Sequence, residues 1–180
     1  MGILLNLTLR SGAVVLALTG ASNAQDLSYS PTITEACEYA QGSDGIVSMG
    51  HTPAAIECIG VAAQACMIDS RIGGSTAGMS ACFGKELDYW DARLNNAYSA
   101  LMERLETSDA EMSELGSSAP KQVPALRDMQ RAWITFRDAK CDFERSNWGG
   151  GTGGGPATLA CLMQETAEQA FHLESQLGEG

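Results

Sequence analysis

The chain predicts an all-α fold: a disulfide-stapled antiparallel helical bundle of three long helices, with a helical pair added at its N-terminal end. Three observations carry this expectation. Apolar residues recur at alternating spacings of three and four over three long stretches, which is the period of an amphipathic helix. No stretch shows the β-branched alternation of a strand. Six cysteines follow a segment that reads as an export signal, so they belong to a compartment that permits disulfides.

The first 24 residues carry one positive charge (Arg10), an apolar run from Ala13 to Leu18, and the small-x-small site Ser22-Asn23-Ala24. The run is well short of the ~20 residues that span a bilayer, so residues 1–24 are expected to be a cleaved signal peptide. No lipobox cysteine follows. The expected domains are a helical extension over 25–65 and the main helical domain over 66–180, with a periplasmic or secreted location and no membrane contact after cleavage.

Gln25 to Thr32, with Pro31, is expected to be an extended lead-in, and Ile33 to Gln41 a short helix. Gly42 to His51 reads as a loop. Thr52-Pro53 supplies a cap and a first-turn proline, and the Ala-rich stretch Ala54 to Met67 is expected to form one helix. Gly73-Gly74 ends it, and Ser75-Thr76 caps the next element. That next helix has its seam at Leu87, Trp90, Leu94, Ala97, Leu101 and Leu105. Ser108 with Glu111 forms a capping-box pair that predicts a separate short helix ending at Gly116-Ser117-Ser118.

Pro120 and Pro124 mark the entry to a further long helix, because proline is tolerated only in the first turn. Its expected seam is Leu126, Met129, Trp133, Phe136, Lys140 and Phe143, with the Lys140 stem snorkelling at the end. Gly149 to Gly155 reads as a loop. The last helix, from Pro156 to about Leu177, carries Leu159, Leu162, Thr166, Ala170, Leu173 and Leu177.

Six cysteines allow fifteen pairings, and counting selects none of them. If residues 53–68 form one helix, Cys58 and Cys66 stand ~12 Å apart, beyond the ~7 Å that a disulfide bridges. The sequence-adjacent solution joins Cys37 to Cys58, Cys66 to Cys82 and Cys141 to Cys161, each pair closing a segment with strong turn signals. Each such loop contributes on the order of 3 kcal/mol in the chain-entropy model. Zinc fits poorly, since no C-x2-C unit exists and His51 and His172 stand near no cysteine cluster. A c-type haem lacks its motif, and no cofactor is expected.

The chain carries 11 basic and 22 acidic residues, a net charge of −11. Without Arg10 the balance is 10 against 22, or −12. This argues against nucleic-acid binding, which needs a basic footprint. It suits either a cationic partner or plain solubility. The glycine run ends in Gly155-Pro156 and lacks the lysine of a phosphate loop. No serine or cysteine stands with a histidine as an activated nucleophile, and the pairs Glu86/Asp88 and Glu103/Glu106 read as solvated helix faces. The chain is therefore not expected to be an enzyme. Arg137 and Asp91 are expected to form a polar clamp between two long helices, while Trp148 and Thr152, around the glycine loop, are the candidate partner-binding residues.

The stretch Gly78-Met79-Ser80-Ala81-Cys82, with Glu86, Trp90-Asp91, Leu94-Asn95 and Tyr98, resembles the first half of the LprI-like lysozyme-inhibitor family. The second half is matched by Gln130-Arg131-Ala132-Trp133-Ile134, Phe136-Arg137-Asp138, Cys141, the glycine loop, and Cys161 followed by Thr166. The resemblance runs from about Cys66 to Leu177 and concerns mainly core and disulfide positions. It implies an exported helical domain with disulfides whose partner is a lysozyme-type muramidase. The chain departs from the family pattern by adding Cys37 and Cys58 and by lacking the lipobox of some members. The competing function is a structural or assembly factor of the cell envelope.

Overall fold

A computed structural model describes residues 27–42 and 53–178. The expected signal segment, the cleavage site at Ala24, the start of the lead-in, the loop residues 43–51 and the Thr52 cap lie outside the described residues. The described chain contains six helices and no strand: α1 (Thr32–Gly42), α2 (Pro53–Ile56), α3 (Val61–Asp69), α4 (Thr76–Glu114), α5 (Gln122–Ser146) and α6 (Gly154–Gly178). The three long helices run up, down and up. Successive ones are therefore antiparallel, while α4 and α6 run side by side, with Ser80 near Gly155 at one end and Arg104 near Gln176 at the other.

Helix α4, at 39 residues and ~58 Å, is the spine of the molecule. Its buried ridge is Gly78, Cys82, Glu86, Trp90, Leu94, Ala97 and Leu101, facing Met163, Ala167, Ala170, Phe171 and Leu173 of α6. Trp90 and Phe171 meet edge to face at 5.2 Å. The spine also supplies polar caps, because the ends of every helix leave backbone groups without intrahelical partners. Its own start is capped by Ser75, which accepts from Gly78 N. Glu86 accepts from Gly60 N (2.7 Å) and Ala63 N (2.6 Å) at the start of α3. Asp109 accepts from Gln122 N (2.9 Å) and Val123 N (3.1 Å) at the start of α5. Arg104 donates to the carbonyls of Gln176 and Leu177 at the end of α6.

This arrangement corrects several sequence expectations. The helix foreseen over Ala54 to Met67 is broken between α2 and α3, where Gly60 has φ +90°. A left-handed residue there turns its N–H toward Glu86, and a Cβ on it would press on Met163 Cε at 3.3 Å. The ~12 Å separation argued for Cys58 and Cys66 presumed an unbroken helix and so loses its basis. The separate helix foreseen at Ser108 does not form. α4 runs through to Glu114 because Asp109 is engaged by α5 and the Thr107 and Ser113 hydroxyls bond back to the carbonyls of Glu103 and Asp109. The lead-in is anchored at residues 27–30: Leu27 and Tyr29 pack on the core, and Ser28 N donates to Ser70 Oγ at 2.9 Å.

Helix α5 is rotated from its expected register. Its inward residues are Val123, Leu126, Gln130, Trp133, Arg137 and Cys141, leaving Phe136 and Phe143 60% and 65% exposed. The disulfide is the reason. Cys141 must face Cys161 of α6, with Cα atoms 5.5 Å apart, and Phe136 lies five residues away, ~140° around the helix. Lys140 snorkels as expected, its Nζ reaching Glu165 Oε1 at 2.5 Å. The other disulfides join Cys37 to Cys58 and Cys66 to Cys82. The glycine loop is shorter than foreseen, because Gly154 and Gly155 already belong to α6.

Candidate functional site

On α4, residues 91, 94, 95 and 98 share one face by helical spacing. On α5, Arg127, Gln130, Arg131 and Ile134 share another, with Trp133 and Arg137 at its inner edge. The two faces enclose an open groove of about 440 Å³ lined by all ten of these residues. Nine of the ten, all but Arg127, are residues that carry the family resemblance. Those positions therefore shape a surface as well as filling the core.

Arg137 sits at the head of the groove. Its guanidinium lies over the Trp133 ring at 5.0 Å, donates from Nε and Nη2 to Asp138 Oδ1 at 2.9 and 2.8 Å, and reaches the buried Thr166 hydroxyl at 3.5 Å. Asp91 instead accepts from Asn95 Nδ2 at 3.0 Å. The expected clamp between Asp91 and Arg137 is not formed: both residues line the groove, but Asp91 is engaged by Asn95 on its own helix, and the rotation of α5 turns Arg137 to Asp138 and to Thr166 of α6. A second polar link between α5 and α6 is Gln130 Oε1 accepting from Gln169 Nε2 at 2.5 Å, buried between the two helices.

The clamp that does tie elements together was missed by sequence reasoning. Arg93 Nη1 donates to both oxygens of Glu38 (2.6 and 2.9 Å) from α1, while its Nε and Nη2 donate to Glu174 (2.5 and 2.9 Å) from α6. The guanidinium lies 5.0 Å from both the Trp90 and Phe171 rings. Burial disfavours its charge, but Glu174 and Glu38 outweigh that and hold its pKa above the ordinary arginine value.

Glu86 was also misread as solvated; it is fully buried. Besides the two amides of α3 it accepts from Trp90 Nε1 (3.2 Å) and from Thr34 Oγ1 (3.5 Å). The signal was present in the sequence: Glu86 stands four residues from both Cys82 and Trp90, on the apolar ridge itself. Nearby, burial first and then Glu86 push the Tyr29 phenol above its usual range.

At the far end of α5, Trp148 is 52% exposed and folds back onto the loop, so that a Cβ at Gly153 would overlap its ring. Thr152 is exposed. The same loop borders a second cavity, of about 360 Å³, lined by Asp142, Arg145, Ser146 and four glycines. Among the described residues no group of three metal-binding side chains occurs, and no helix is long and apolar enough to cross a membrane.

The fold defines a small disulfide-bonded helical protein with an open groove between two long helices, whose lining holds no serine, cysteine or histidine. The chain belongs to the family described as lysozyme inhibitor LprI, which matches residues 66–173. This supports a lysozyme-inhibitor role in general, and the three disulfides fit an oxidising compartment. Similar curated proteins include an uncharacterised 17.7 kDa protein in the puhA 5' region of Rhodobacter capsulatus, 27% identical over 126 residues that cover 69% of this chain and 77% of the relative. An uncharacterised protein of Rhizobium meliloti is 26% identical over 106 residues, covering 59% of this chain and 76% of the relative. No solved structure matches.

Proposed function

We propose that this protein is an exported inhibitor of lysozyme-type muramidases, acting in the periplasm or outside the cell by protein–protein contact and without a cofactor. Residues 1–24 act as the signal, 25–65 as a helical extension, and 66–180 as the inhibitory domain. The observation that carries the reading is the family match over 66–173. The net charge of −11 supports it, since an acidic body speeds encounter with a cationic enzyme.

The proposed contact lies at the α5–α6 end, where Trp148 offers a half-exposed aromatic anchor of the kind that dominates interfaces. The neighbouring backbone, with Thr152 as its one exposed side chain beyond glycine, is slim enough to enter a narrow cleft, at a cost in conformational entropy. Trp148→Ala is expected to weaken inhibition of muramidase activity at least tenfold, about 1.4 kcal/mol, with far-UV dichroism and thermal unfolding nearly unchanged. A wild-type protein that inhibits no lysozyme class at micromolar concentration would end this reading in favour of an envelope structural or assembly factor.

A further inference from the structure

The α4–α5 groove gathers cations in a chain of net charge −11: its lining holds Arg127, Arg131 and Arg137 with Asp91, while Glu106, Asp128 and Asp138 stand beside the arginines at its rim. Arg131 has one ion pair, with Asp128 at 3.2 Å, and both side chains are largely exposed. Arg127 stands 3.9 Å from Glu106, beyond hydrogen-bond reach. Both guanidiniums therefore keep donors for a ligand, and the guanidinium fork matches a carboxylate in two parallel bonds.

Spacing narrows the ligand. Arg127 and Arg131 are four residues apart, ~6 Å along the helix, and alternate side chains of an extended peptide repeat at ~6.6 Å. Leu94 and Tyr98 give the α4 side of the groove an apolar wall. A long polyanion would meet the acidic body, whereas two carboxylates at alternate positions span ~6.6 Å, within the ~8 Å Debye length at physiological salt.

We infer that this groove binds an extended acidic peptide segment of a protein partner, with carboxylates at alternate positions paired to Arg127 and Arg131 on α5 and the intervening apolar side chains turned to Leu94 and Tyr98 on α4. The site is separate from Trp148: Arg131 and Ser146 stand fifteen positions apart on α5, ~22 Å of helix.

The test is fluorescence anisotropy, in 0.15 M salt, of a labelled, end-capped five-residue peptide alternating leucine and glutamate, with two glutamates. Saturable binding is expected, at least tenfold weaker for the glutamine counterpart. The Arg127→Ala/Arg131→Ala double variant should also bind at least tenfold more weakly. Thermal unfolding of that variant should match the wild type, since both side chains are exposed. Arg131→Lys should fall between, keeping the charge but losing the fork. No binding of the acidic peptide at millimolar concentration, equal binding of the glutamine peptide, unchanged binding by the double variant, or displacement by a neutral N-acetylglucosamine oligomer would each overturn the inference. The titration uses no muramidase, so its outcome is independent of the inhibitor reading.

Discussion

Glu86 illustrates how one residue organises its surroundings. Gly60, at the N-cap of α3, has no side chain with which to cap its own helix. A single carboxylate from α4 takes both donors that a capping box would satisfy, the N–H of the N-cap residue and that of Ala63 three residues on. Such charge-assisted bonds are stronger than neutral ones, and removing the acceptor leaves buried donors unpaired. Glu86→Gln is isosteric but presents an NH2 group to an assembly of donors. It is expected to lower unfolding stability by about 3 kcal/mol, read from urea denaturation as a lower midpoint. A midpoint within error of wild type would mean that the carboxylate is not what seats α3.

At the scale of elements, ion pairs and caps decide which helices hold together. Arg93 joins α1, α4 and α6 through Glu38 and Glu174. Its side chain is about a quarter exposed, so Arg93→Ala should cost about 2 kcal/mol, less than a fully buried pair would. In a double-mutant cycle, Arg93→Ala and Glu38→Ala should be clearly non-additive; simple additivity would mean that α1 is held by its disulfide and packing alone. The cap on α5 responds to pH. The Gln122 N–H, then the Val123 N–H and the charge of Lys121, hold the Asp109 carboxyl below its ordinary range. A folded-state pKa below the unfolded one means that the capping contribution is full above the ordinary carboxylate value and is lost as pH falls through the lowered one. Amide exchange at Gln122 and Val123 should therefore stay protected at pH 5 and lose protection, relative to the middle of α5, as the pH is taken toward 2.

For the whole molecule, the disulfides join cysteines 21, 16 and 20 positions apart in sequence. They hold together an unequal set of helices, since α1 to α3 are too short to be stable in isolation. Replacing Cys141 and Cys161 with serine should lower stability by about 3 kcal/mol, measured in urea against the oxidised wild type. Because this bridge also sets the rotation of α5, the same variant should show altered solvent exposure of Trp133 by fluorescence. A loss of stability with unchanged fluorescence would place the control of α5 rotation in the Gln130–Gln169 and Lys140–Glu165 contacts instead.

Local rules made much of this molecule legible from its sequence. The helical periods, the stops at Gly73-Gly74 and Gly116, the Ser75 cap and the proline entry to α5 each depend on residues close in the chain, so sequence alone determined an all-α bundle of three long helices. The motif residues around Trp90 and Trp133 were legible as a group, yet not as the two walls of one groove, because that depends on how α5 is turned. Tertiary structure decided the rest. Phe136 and Phe143 fit a helical seam as well as Arg137 and Cys141 do, and only the distant Cys161 selects between the two registers. Arg137 could have met Asp91, but Thr166 and Trp133 lie on the side to which the disulfide turns it. Glu86 and Asp88 look alike in sequence; burial separates them, because the amides of α3, 23 to 26 residues away, converge on one and not the other. Periodicity reports which residues share a face, and long-range partners determine what that face meets.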